Sequence, residues 1–147
     1  MSPSVRSSSY FSGRCWKRLT LTKYVTFTGW IFDRKKLDVL ISESAVGVAV
    51  YKPEKERLRN FSYFADPTKI KEYLSYGLPV ILTDVPYNAD EIVRKHAGIV
   101  VEYQKEQLAA AIISLLNNRQ KLERYRNNAL RLAREFDWNS IFRKTSI

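Results

Sequence analysis

Cysteine and histidine are almost absent from this 147-residue chain, which has one of each, Cys15 and His96. A single cysteine excludes an internal disulfide framework, and so small a set of Cys and His ligands argues against a zinc site. No segment approaches the roughly 18 apolar residues of a membrane-spanning helix. Glycine-rich Gly-x-Gly-x-x-Gly and Walker A motifs are also missing. With 45% hydrophobic residues, we expect one soluble, cytoplasmic globular domain.

Acidic residues are absent from the first part of the chain and scarce in the last, so the net charge of +10 lies at the two ends. Residues 1–24 carry five basic and no acidic side chains, residues 25–118 carry 12 of each, and residues 119–147 carry eight basic and three acidic, giving +5, 0 and +5. A nucleic-acid-binding domain usually has its basic surface on the folded body, so we do not expect a nucleic-acid partner. Two interpretations stay open: the ends are simply solvated, or they contact an anionic membrane peripherally.

Strands and helices are predicted to alternate along most of the chain. Residues 1–21 are basic, rich in serine and without periodicity, which predicts a disordered arm or a start codon placed inside a longer gene. Within residues 22–147, apolar runs predict strands at 25–29, 46–51, 79–83 and 98–103. Helical spacing predicts helices at 33–44, after residue 66, at 88–96, 105–118 and 119–135. This alternation predicts an α/β fold, an incomplete Rossmann-like parallel sheet of about four strands with helices on both faces.

The helix after residue 66 has an unusual beginning. Asp66 and Pro67 are typical of an N-cap followed by the first helical position, yet Lys69 then stands at the positive helix end, at a cost of about 0.3–1 kcal/mol. A surface ion pair between Lys69 and Glu72 stabilises the helix by only ~0.2–0.5 kcal/mol. Alternatively, an anion bound by the amides of Thr68 and Lys69 removes the conflict, and Glu72 accepts hydrogen bonds from a sugar diol. The second interpretation predicts a nucleotide ligand.

Several segments resemble, in order, the C-terminal domain of retaining glycosyltransferases of the GT-B fold, the group 1 type that uses nucleotide diphosphate sugars. The resemblance covers roughly residues 22–142, and its most specific part is the pattern P-x-K-x-x-E-Y-L-x-x-G-x-P-V-I. The other segments are VTFTGWIFDRKKLDVLISESAVGVAVYKPE, ADPTKIKEYLSYGLPVILTDVP, AGIVVEY and LAREFDW. The resemblance implies a partial nucleotide-sugar-binding domain that acts in the synthesis of polysaccharides or glycoconjugates.

The resemblance also implies the roles of individual residues. Glu72 matches the glutamate that binds the ribose of the donor, while Lys69 and the neighbouring loop amides lie by its diphosphate and the transferred sugar. Gly29, Trp30 and Ile31 meet the nucleobase, largely through the backbone. From the residues alone, Trp30 either lines such a base pocket or packs in the core. The donor is a UDP- or GDP-sugar, and neither a metal nor another cofactor is expected.

Two departures from the family pattern qualify these expectations. Phe64 stands where the first of two family glutamates is expected, although P-x-K-x-x-E variants commonly lack it. The acceptor-binding N-terminal domain and the first strand of the C-terminal domain also have no counterpart here. We therefore expect a truncated or split enzyme that is inactive without an N-terminal half, supplied within a longer chain or as a separate one. A non-catalytic protein that binds anionic membrane or nucleic acid, and a gene remnant, remain alternatives.

Overall fold

The computed structural model describes residues 24–53, 61–64 and 67–136, and the chain divides into two compact units, 1–36 and 37–147. The predicted arm at residues 1–21 lies outside the described residues. The described part contains six helices and three strands. In chain order they are α1 (Arg34–Ser42), β1 (Gly47–Ala49), α2 (Phe61–Phe64), α3 (Thr68–Ser75), β2 (Val80–Thr83), α4 (Ala89–Arg94), β3 (Gly98–Val101), α5 (Lys105–Leu116) and α6 (Arg119–Glu135).

The three strands form one parallel sheet in the order β1-β2-β3. Val80 at the start of β2 pairs with Gly47 on one side and with Gly98 on the other. All four residues of β2 are buried, as its uninterrupted apolar sequence predicts for a central strand that is covered on both faces. The parallel α/β architecture is therefore confirmed.

The predicted first strand at residues 25–29 is wrong, so the sheet has three strands rather than four. These residues form no ladder in the described part of the chain, and the Phe27 side chain is 60% exposed. Alternating apolar residues favour an extended backbone, but a strand is stable only when a neighbour pairs with its N–H and C=O groups. Alternation along one segment gives no information about such a neighbour.

Helices cover both faces of the sheet, as predicted. On one face, Val80 and Leu82 of β2 pack with buried residues of α3, α4 and α6. On the other face, Ile81 packs with Ala111 and Leu115 of α5. This division follows from the strand period of two, which points successive side chains to opposite faces. Burial of each large aliphatic side chain stabilises the fold by about 1.5–3 kcal/mol.

The beginning of α3 differs by one residue from the prediction. Pro67 is the N-cap rather than the first helical residue, with φ −70° and ψ 106°, and its carbonyl oxygen accepts the first bond from the Ile70 N–H at 3.0 Å. The ψ value keeps proline extended while its carbonyl already faces the helix, which is the geometry of an N-cap. Asp66, the predicted cap, lies outside the described residues.

The end of α3 is fixed by a left-handed glycine. Gly77 has φ +69°, and its N–H donates to the Leu74 carbonyl, while the Leu78 N–H donates to the Tyr73 carbonyl, each at 2.9 Å. These two bonds are the Schellman arrangement, in which a residue with positive φ satisfies the last helical carbonyls. The turn leads into β2, so the C-terminal end of α3 is held next to the sheet.

The start of α4 lacks the capping box that Asn88 and Glu91, three residues apart, predict from the sequence. Asn88 occupies the N-cap, but its side chain makes no cap hydrogen bond, because its φ of −91° and ψ of 6° depart from the extended N-cap backbone. The side chain is buried, and both amide atoms lack a hydrogen-bond partner among the described residues. Buried amides without partners are uncommon in proteins.

Candidate functional site

The carboxyl ends of β1 and β2 are joined by one threonine. The Thr83 hydroxyl accepts a hydrogen bond from the Tyr51 N–H at 2.9 Å and donates one to the Tyr51 carbonyl at 2.7 Å. Thr83 is only 2% exposed. Sequence reasoning did not identify either residue as functional. The available signal was a threonine that ends an otherwise aliphatic strand, at the edge where ligands of parallel sheets bind.

Tyr51 connects this edge to the beginning of α3. Its ring packs against the core on the α3 face, and the Lys69 ammonium lies 5.3 Å from the ring centroid. The hydroxyl oxygen is buried and has no hydrogen-bond partner in the described ranges. Burial raises the pKa of Tyr51, and the nearby Tyr73 raises it further. The contact brings Lys69, from the first turn of α3, next to the end of β1.

In the described part of the chain, the first turn of α3 has backbone donors that its N-cap residue does not cap with a side chain. Proline has no side-chain oxygen, so Pro67 makes no side-chain cap bond to the amides that follow. Thr68 and Lys69 are exposed, and Glu72 lies one turn further along the helix, half-buried. Since residues three apart are neighbours on a helix, the structure brings Thr68, Lys69 and Glu72 together on one short segment.

The second group of predicted site residues lies in the other compact unit. Gly29 has φ +64°, Trp30 is 81% exposed and Ile31 is half-buried. The alternative in which Trp30 packs in the core is therefore wrong. Its ring instead lies 6.1 Å from that of Phe32, which is also exposed. An exposed tryptophan next to a left-handed glycine leaves the local backbone accessible.

A cavity of about 360 Å³ opens beside the ends of β2 and β3. Its lining includes Thr83, Asp84 and Glu102, and volumes of about 300 Å³ and above are typical of small-molecule sites. The Glu102 carboxylate accepts a hydrogen bond from the Gln104 amide at 2.9 Å. Carboxylates repel phosphate but accept hydrogen bonds from hydroxyl groups, so this part of the edge suits a polyol better than a phosphate.

The described residues limit other kinds of site. Among them, no group of three or more His, Cys, Asp or Glu side chains could hold a metal ion. No helix in the described ranges is both long and apolar enough to cross a bilayer. Phe64, at the position of the first family glutamate, ends α2 with an exposed aromatic side chain. Of the charged side chains that the structure describes on α3, Lys69 and Glu72 are the predicted site residues, and Lys71 lies on the same helix.

Comparison with protein families gives a match. The model of the family described as glycosyl transferases group 1 matches residues 9–118. The matched region includes both groups of predicted site residues, the three strands and the helices α1 to α5. A comparison with curated proteins gives no significant match.

Proposed function

The chain belongs to the glycosyl transferases group 1 family, and we propose that it binds the nucleoside diphosphate part of a nucleotide sugar at the first turn of α3. Membership of the family supports glycosyl transfer in general. The proposal assigns the donor and its position. The observation on which it depends is the proline-capped start of α3, where the exposed residues Thr68 and Lys69 follow a cap without a side-chain acceptor.

The diphosphate interacts with this turn in two ways. The amides of Thr68 and Lys69 point along the helix axis toward the ligand, where the partial positive charge of the dipole favours an anion. The Lys69 ammonium, beside the Tyr51 ring, adds a full positive charge. Each charge-assisted hydrogen bond contributes about 1.5–3 kcal/mol. The same groups stabilise the negative charge that develops on the diphosphate when the sugar departs.

The nucleoside is recognised at two further places under this proposal. Glu72, one turn beyond Lys69, accepts hydrogen bonds from the ribose hydroxyls, as acidic residues do in dinucleotide sites. The backbone of Gly29, Trp30 and Ile31 contacts the base. Asp84 and Glu102, which line the cavity at the sheet edge, face hydroxyl groups of the transferred sugar. In the proposed site, Lys69 and the helix amides bind phosphate and the carboxylates bind hydroxyl groups.

Calorimetric titration with UDP, GDP and uridine tests the proposal. We expect Lys69→Met to weaken UDP binding about ten-fold, the equivalent of one lost charge interaction of about 1.4 kcal/mol, and to leave uridine binding unchanged. Glu72→Gln weakens UDP and uridine alike, because both contain the ribose diol. The matched control is Lys71→Met on the same helix, since the Lys71 ammonium lies 5.1 Å from the Phe136 ring centroid. If Lys69→Met and Lys71→Met weaken UDP binding equally, the site assignment is wrong.

A further inference from the structure

We propose that the turn between α5 and α6 contacts the surface of an anionic lipid bilayer, an interaction beyond donor binding. The surface, called here the α5–α6 corner, consists of exposed apolar residues on α5 and cations on the first two turns of α6. Its residues are Ile113, Leu116, Arg119, Lys121 and Arg124.

The apolar half of the corner is on the outer face of α5. Ile113 and Leu116 are 55% and 49% exposed, whereas Ala111 and Leu115 on the inner face are buried against the sheet. Ile113 and Leu116 are three residues apart, so their side chains are neighbours on the helix surface. Single exposed aliphatic residues are ordinary, but an apolar pair beside cations is typical of helices that lie at a membrane interface.

The cationic half follows the turn, on the first two turns of α6. The Lys121 ammonium donates to the Ser114 hydroxyl at 3.3 Å, which joins the first turn of α6 to the last turns of α5. Lys121 and Arg124 each lie 5.8 Å from the Tyr125 ring centroid. In the described residues neither forms an ion pair with a carboxylate. Lys121 and Arg124 therefore provide a positive charge of two at the start of α6.

Neighbouring carboxylates do not cancel this charge. Glu123 is paired with Arg119 at 3.1 Å, and Glu106, near the other end of α5, is paired with Lys105 at 3.6 Å. A recess of about 360 Å³ beside the turn is lined by Asn118, Gln120, Lys121 and Arg124. Two cations and two amides around such a recess are complementary to the phosphate of a lipid headgroup.

The chemistry of the corner favours lipid over nucleic acid. Single-stranded nucleic acid is bound by exposed aromatic rings that stack on bases, but the aromatic residue of the corner, Tyr125, is half-buried beneath the cations. Exposed Ile113 and Leu116 have no counterpart on a sugar-phosphate backbone. They fit the boundary between headgroups and acyl chains, while the cations remain at headgroup level.

Sedimentation with lipid vesicles tests the proposal with the full chain. The vesicles contain equal parts of phosphatidylglycerol and phosphatidylcholine, and vesicles of phosphatidylcholine alone are the lipid control. Because a basic side chain near an anionic surface contributes about five-fold in affinity, Lys121→Gln/Arg124→Gln is expected to weaken binding roughly 25-fold. The matched variant is Arg131→Gln/Arg134→Gln, which removes the same charge about 15 Å further along α6 and is expected to bind normally.

A second variant tests the apolar contact. Leu116→Trp is expected to show a blue shift of its fluorescence with the anionic vesicles and none with phosphatidylcholine alone. Equal weakening by both double variants, or absence of the shift, overturns the proposal. Binding of an oligonucleotide in place of vesicles also overturns it, and indicates a nucleic-acid surface. UDP affinity of Lys121→Gln/Arg124→Gln is measured alongside, because it stays normal if the two sites are separate and so distinguishes failure here from failure of the donor site.

Discussion

The hydroxyl of Thr83 offers a direct test of how the sheet edge is held together. Thr83→Val replaces this hydroxyl by a methyl group of similar size and removes both bonds to Tyr51. A net hydrogen bond contributes about 1 kcal/mol, and a buried backbone group that loses its partner costs about 1–3 kcal/mol. Tyr51 is half-buried, so water recovers part of this loss. We expect the free energy of unfolding to fall by about 2 kcal/mol.

Urea denaturation of Thr83→Val and Thr83→Ser measures this effect. Serine keeps the oxygen and loses only a methyl group, whose burial is worth about 0.8 kcal/mol. The valine variant should therefore be the less stable of the two, although it preserves the shape of the side chain. If Thr83→Val unfolds at the same urea concentration as the natural protein, the two hydrogen bonds do not stabilise the edge and the reasoning is refuted.

The same pair of variants connects stability to the proposed donor site. Tyr51 is the side chain against which Lys69 lies, so loosening its backbone should misplace the ammonium. We expect Thr83→Val to weaken UDP binding several-fold under conditions in which it remains folded, while Thr83→Ser binds UDP normally. Equal UDP affinities of the two variants would show that Tyr51 does not position Lys69.

Three other predictions concern the core. Gly98→Ala places a methyl group against the Val80 carbonyl and 2.6 Å from the Ile92 side chain. In urea denaturation, the free energy of unfolding should fall by about 3 kcal/mol or more. A variant as stable as the natural protein would contradict the strand register. Burial raises the pKa of Tyr51, so the stability that this tyrosine contributes is present below about pH 10 and is lost as the pH rises further. Tyr51→Phe removes a buried hydroxyl without a described partner, so it should be no less stable than the natural protein at pH 7 and should lose less stability in alkaline solution. Asn88→Leu removes a buried amide without a described partner and should raise stability by about 1–3 kcal/mol, whereas a decrease would reveal a necessary polar contact.

Local patterns predicted much of the fold. The uninterrupted apolar segment at 79–83 contains β2, and helical spacing located α5 and α6 within a few residues of their observed bounds. These elements satisfy their own backbone groups or lie in a sheet whose neighbours are equally apolar. The segment at 25–29 failed because strand formation depends on pairing, which its own alternating sequence does not specify. Tertiary context therefore decided the one strand that propensity predicted wrongly.

The candidate site was predicted where it lies on one helix and missed where it joins distant residues. Thr68, Lys69 and Glu72 lie within one turn of α3, so their proximity follows from helical geometry. Tyr51 and Thr83 are 32 residues apart, and their contact exists only because β1 and β2 pair in one register. Sequence spacing therefore identified the surface of α3 but not the hydrogen bonds that fix its surroundings.

The position of Lys69 now has an explanation within the protein. In the sequence, a bound anion was one of two explanations for a lysine at the positive end of a helix, where repulsion by the helix dipole costs about 0.3–1 kcal/mol. The contact with the Tyr51 ring contributes about 0.5–1 kcal/mol, which offsets that cost without a ligand. The groups that still need an acceptor belong to the backbone, because Pro67 provides no capping oxygen for the amides of Thr68 and Lys69. A diphosphate supplies that acceptor, and Tyr51 holds the cation ready beside it.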